Sequence, residues 1–147
     1  SDVYKRQDIY DVLNSIFTQA IEENLRDVAE GGSFYEEYIK AASLLVQYRD
    51  VVIHVYNSKN RDIVTDYLER VTAEIVRGYI ARKSEGQNIS DKDLEFISYF
   101  YSYAIIGSTY KWIESGMKAD FKHFIGKIAD SIDATLPVMI SKAGKAD

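Results

Sequence analysis

The side chains able to do chemistry are unevenly supplied: 23 carboxylates and 12 tyrosines stand beside 2 histidines and no cysteine. Without thiols there can be no disulfide, thiolate metal site or thiol nucleophile. His123 lies one helical turn after Asp120, and two ligands on one helix face with no third nearby do not make a metal site. The pairs Glu22-Glu23 and Glu36-Glu37 are adjacent in sequence, so on a helix they point in different directions and cannot share a proton. Lys118, Lys122 and Lys127 alternate with Asp120 and Asp130 in the manner of a solvated helix face. The sequence contains no glycine-rich phosphate loop, His-Glu-x-x-His helix or serine nucleophile elbow. No catalytic residue, no metal site and no cofactor is expected, and an enzyme is not the expected function.

Tyrosine is twice as frequent as phenylalanine, which occurs 6 times. Its flat apolar body and single hydroxyl suit a pocket or an interface. Phe17, Tyr38, Leu45, Tyr48, His54, Tyr67, Val71 and Tyr103 form the candidate ligand-binding set. Each of them also fits ordinary core packing. His54, inside the run Val51 to Tyr56, reads first as a satisfied structural histidine and second as a ligand contact or pH sensor.

Positioning these groups falls to a chain of 147 residues, 46% hydrophobic and 28% charged. That is one domain, long enough to bury roughly two-thirds of its unfolded surface. The net charge of −5 repels a phosphate backbone, so this chain alone is a poor DNA binder. Its longest apolar run is too short to span a bilayer, and its opening lacks the layout of a secretory signal. The expectation is a cytoplasmic protein with no membrane partner.

A single proline, Pro137, and few glycines favour long helices over strands and turns. Apolar residues from Ile9 to Val28 recur at steps of three and four, with Asp8 as N-cap and Gly31-Gly32 as the stop. Residues 1–7 continue no pattern and read as a leader or an appended remnant, which leaves 8–147 as the domain. Ser33 to Glu36 is a capping box opening a second helix, with Tyr38, Ala41, Ala42, Leu45 and Val46 inward. Val51 to Tyr56 is β-branched enough for a strand, yet nothing else can pair with it, so a short helix is expected. Arg61 to Lys83 is again helical in spacing, and Ser84 to Asn88 is a polar loop. Ser90 and Asp93 form a second capping box, with Ile89 and Leu94 spaced as a hydrophobic staple. The prediction is an all-α bundle of about six helices.

The helix predicted over Asp91 to Ser115 has two apolar faces. Phe96, Tyr99, Tyr103, Ile106 and Tyr110 fall within about 80° of one another at 100° per residue. Leu94, Ile97, Tyr101, Ala104, Ile105, Ser108 and Trp112 lie opposite, leaving Glu95, Ser98, Ser102 and Thr109 as a narrow polar stripe. A helix apolar on nearly all sides must be covered on nearly all sides. The last helix, Lys118 to Leu136, carries a seam of Phe121, Phe124, Ile125, Ile128, Ala129, Ile132 and Leu136. Two such helices suit a symmetric four-helix dimer interface, and a larger monomeric core is the alternative. The interface candidates are Ile97, Tyr101, Ala104, Ile105, Ser108, Trp112, Phe121, Phe124, Ile125, Ile128 and Ile132.

The string Phe100-Tyr101-Ser102-Tyr103-Ala104-Ile105-Ile106-Gly107, followed by Trp112, Gly116 and Met117, resembles the C-terminal domain of TetR transcription regulators of the Firmicutes type. The opening Asp8-Ile9-Tyr10-Asp11-Val12-Leu13 is similar to that family's first helix after its DNA-reading unit, so the resemblance covers about residues 8–147. It implies a homodimer built on the last two long helices, and middle helices around a cavity for an unknown small-molecule effector. It also implies DNA contact only through an N-terminal helix-turn-helix, which needs roughly 45 residues ahead of Asp8. The sequence supplies seven there, as expected for a piece of a longer regulator or a headless relative. The competing reading is a helical protein-protein interaction module, a co-regulator with no small-molecule ligand.

Overall fold

Two serines set the frame. In the computed structural model, which describes residues 2–28 and 32–145, Ser33 Oγ accepts the Glu36 amide at 3.1 Å and starts α2, Phe34–Gln47. Ser90 Oγ accepts the Asp93 amide at 3.1 Å and starts α5, Asp91–Glu114. Both satisfy amides that a helix start leaves without partners. The other helices are α1 (Asp2–Val28), α3 (Arg49–Tyr56), α4 (Asp62–Lys83) and α6 (Phe121–Lys145). Among the described residues none is in a strand, and the chain is all-α.

Helix α4 is central. It packs against α1, α2, α3 and α5, whereas α6 packs on α2 and more loosely on α5. Val64, Tyr67, Leu68, Val71, Ile75, Val76 and Ile80 are buried along it, a seam of one residue every three or four. Leu13 and Phe17 of α1, and Phe34, Tyr38, Ala41, Ala42 and Leu45 of α2, meet that seam. Each large aliphatic or aromatic group so enclosed stabilises the fold by about 1.5–3 kcal/mol before its ordering cost.

The β-branched run forms α3 because Val52, Val55 and Tyr56 all reach the core from one helix face. Its end is held by Arg61, whose Nε donates to Tyr56 O at 2.6 Å while the guanidinium sits 4.3 Å above the Tyr56 ring. Its start is tied to the far corner of the molecule, where Arg49 Nη2 donates to Gly116 O at 2.6 Å.

Four boundaries or faces differ from expectation. Helix α1 begins at Asp2, so Asp8 lies within it rather than capping it. A polar stretch shows no apolar period, yet residues of ordinary propensity extend a helix already nucleated downstream. Helix α6 starts at Phe121 rather than Lys118, and it does not stop at Leu136 but continues through Pro137 to Lys145. Proline deprives Asp133 O of its helical donor at a cost of about 3 kcal/mol. Burial of Leu136 and Ile140 on either side of it offsets that cost. Finally, part of the polar stripe of α5 faces inward: Ser102 and Thr109 are buried, whereas Ser98 is half-buried and Glu95 exposed. Thr109 Oγ1 gives its proton to Ile105 O at 2.9 Å, which makes Tyr38 the donor in the 2.9 Å bond between Tyr38 Oη and Thr109 Oγ1. With its hydroxyl satisfied in this way, Thr109 can pack as core.

Candidate functional site

The candidate ligand-binding residues divide by location. Phe17, Tyr38, Leu45, Tyr67 and Val71 come together in the core. Phe17 and Tyr67 stack with centroids 4.1 Å apart, and Tyr67 Oη donates to Ala41 O at 3.0 Å. Tyr48 is half-buried and His54 is exposed on α3. Tyr103 is 69% exposed on the far side of α5. Tyr48 packs against that same core, and the structure does not bring His54 and Tyr103 to it. The reason for His54 is its register: Val52, Val55 and Tyr56 take the inward face of a helix only eight residues long.

A groove runs between α5 and α6, with a volume of about 380 Å³. Seven of the interface candidates line it: Tyr101, Ala104, Ile105 and Ser108 from α5, and Phe124, Ile128 and Ile132 from α6. Phe100, Lys127, Ser131 and Thr135 complete the lining and were missed by the apolar pattern. The spacing Ala104-Ser108 on one side and Ser131-Thr135 on the other marks them, since steps of four put small residues on one helix stripe. Across the groove, Tyr101 Oη bonds Thr135 Oγ1 at 2.6 Å, and Thr135 gives its own proton to Ser131 O. Phe121 is half-buried, whereas Ile97, Trp112 and Ile125 lie inside the protomer. Those three point toward α5 and α6's own core side, so spacing alone had joined two adjoining faces into one.

Beside the groove stands an aromatic ridge. Phe96, Tyr99, Phe100 and Tyr103 are each between 46% and 69% exposed. Phe96 stacks on Phe100 at 5.9 Å and meets Tyr99 edge-on at 5.2 Å. The corner joining the two helices is rigidly built. Met117 N–H reaches Trp112 O at 2.9 Å and Gly116 N–H reaches Ile113 O at 2.9 Å, with φ of 84° at Gly116 and 55° at Met117. This is a Schellman stop, which requires a left-handed residue after the helix end.

A second concavity, a cleft of about 810 Å³, opens between the start of α2, the end of α4 and the last turns of α6. Tyr79 Oη donates to Asp133 Oδ1 at 2.5 Å, and Arg82 Nη2 donates to Glu37 Oε1 at 2.9 Å. Burial pushes the Glu37 carboxyl above its ordinary range against the pull of Arg82. Burial, followed by the Asp133 bond, pushes the Tyr79 phenol up as well. No group of three His, Asp or Glu side chains converges on a metal-sized space among the described residues.

Residues 33–134 match the family model described as the C-terminal region of a transcriptional regulator, of the TetR type. The chain belongs to that family. In this TetR-type domain the matched stretch takes in all of α2 to α5 and the groove-lining part of α6 up to residue 134. No curated protein and no solved structure matches the chain. Among the described residues no helix is long and apolar enough to cross a membrane.

Proposed function

We propose that this TetR-type domain is the effector-binding and dimerisation part of a non-enzymatic transcriptional regulator, and that it pairs with a second copy through α5 and α6. The observation that carries this is the coincidence of an apolar groove and an exposed aromatic ridge on the same pair of long helices. Ala104 and Ser108 keep one wall low enough for a crossing helix. Covering Phe96, Tyr99, Phe100 and Tyr103 removes large aromatic surface from water, the dominant gain in association. DNA would be met through a separate helix-turn-helix unit. An effector would act by binding one arrangement of the paired domains better than the other.

Light scattering tests the pairing. The chain should run as a dimer, and Ala104→Arg and Ile128→Asp should each shift it to monomer by placing an unpaired charge in the joint. A dimer mass unchanged in both variants refutes this placement.

One observation favours a co-regulator without a small ligand: Phe17, Leu45, Tyr67 and Val71 are buried together in the core, with Phe17 stacked on Tyr67. Under that reading the α5–α6 face would take a different protein, and a stable heteromer would form in place of the homodimer.

A further inference from the structure

We propose that the cleft between α2, α4 and α6 binds a small zwitterion with an apolar body, of about the size of an apolar dipeptide. The proposal deepens the regulatory reading, and rests on it only in making that molecule the effector. The cleft's volume of about 810 Å³ falls within the range of small-molecule sites. Its floor is apolar, with Pro137 of α6 exposed to the cleft and Leu136 and Ile140 buried beneath. Its charges are separated. Lys83 and Arg82 stand at the end of α4, and the Asp133 carboxylate lies across on α6, with the Tyr79 ring between.

The existing partners decide what the cleft can accept. Arg82 already serves Glu37 and Gly32 O. Lys83 has no ion-pair partner among the described residues; its ammonium lies 5.5 Å from the Tyr79 ring centroid. The Asp133 carboxylate accepts one hydrogen bond, from Tyr79, and is otherwise open to water. A wall with one available cation and one available carboxylate over an apolar floor is complementary to a molecule carrying both charges at its ends. A simple anion would leave Asp133 facing it, and a simple cation would leave Lys83 facing it. The cleft is also mechanically connected: Asp133 lies on the same helix as Ile128, Ile132 and Thr135 of the groove.

Calorimetric titration with the dipeptide Leu-Phe tests this, using N-acetyl-Leu-Phe and Leu-Phe-amide as forms lacking one charge each. Leu-Phe should bind, and each capped form should bind weaker by roughly tenfold or more. Lys83→Gln should abolish the advantage of Leu-Phe over its amide, and Asp133→Asn its advantage over the acetylated form. Ser141→Trp, an exposed position on the cleft wall, should block binding without unfolding the chain, with thermal melts confirming that all three variants fold. No binding of Leu-Phe, equal binding of the capped forms, or full binding by Ser141→Trp overturns the proposal. A chain that binds Leu-Phe in this pattern yet weighs as a monomer supports the cleft and overturns the pairing.

Discussion

Tyr79 on α4 donates its hydroxyl to Asp133 on α6 across 2.5 Å, joining the central helix to the helix that lines the groove. Tyr79→Phe keeps the ring and its edge contact with Phe34 at 5.8 Å while deleting the donor. Because Asp133 is open to water, which can replace the donor, the loss should be about 1 kcal/mol, below the usual worth of a bond to a charged acceptor. Urea denaturation reads it, and an unchanged midpoint would show that water replaces the phenol without penalty.

The buried bond from Tyr38 to Thr109 should behave differently. Tyr38→Phe and Thr109→Val each strand or delete a buried polar group and should cost about 1–3 kcal/mol. Because Thr109 is also tied to Ile105 O, the valine variant frees that carbonyl to its ordinary helical bond. The double variant should cost less than the sum by about 1 kcal/mol. Strict additivity in the cycle would argue that the two hydroxyls stabilise independently.

Glu37 gives the fold a pH signature. It is 7% exposed, and burial raises its carboxyl above the ordinary 4.5 although Arg82 opposes the shift. Between those two values the folded chain holds more protons at this site than the unfolded chain. Stability from this site is therefore greatest below 4.5 and declines as pH rises through the folded value. Glu37→Gln has no charge to bury, so its melting temperature relative to the native chain should climb from acid toward neutral pH. A difference that stays flat across the range would show that burial and Arg82 cancel, leaving the carboxyl to titrate alike in the folded and unfolded chain.

Glycine-to-alanine changes should have opposite signs at two positions. Gly116 has φ of 84° and nothing nearer its missing Cβ than Lys118 Cε at 4.0 Å. Alanine there meets a purely conformational penalty of about 1–2 kcal/mol. Gly107 lies inside α5 with open space around it, and alanine should stabilise the protomer by about 1 kcal/mol. Matched thermal melts at concentrations favouring monomer would test the pair, and loss of stability at Gly107 would contradict the open geometry.

Much of this was legible from local chemistry. Ser33 and Ser90 announce their helices because capping involves residues three apart, and the seams of α4 and α6 are visible because a core face repeats every three or four. Helix α6 beyond Pro137 was hidden, since a proline cost is local and the burial of Leu136 and Ile140 that offsets it is tertiary. The inward turn of Thr109 was hidden for the same reason: its partners, Ile105 and Tyr38, lie on the helix itself or far away in sequence. The cleft was hardest to foresee, because Ser33, Tyr79, Lys83 and Asp133 come from three helices and share no motif.

The stack of Trp112 on Phe124, with centroids 5.3 Å apart and planes 9° from parallel, lies at the corner of α5 and α6. Its indole N–H is anchored to Ala119 O at 3.0 Å, and the chain contains one tryptophan. Nature has thereby installed an optical gauge at the corner of the long hairpin. Emission from this single tryptophan, excited selectively over the tyrosines, reports the polarity around the corner without a dye, so a red shift would register any occupant of the domain that lets water reach the buried indole.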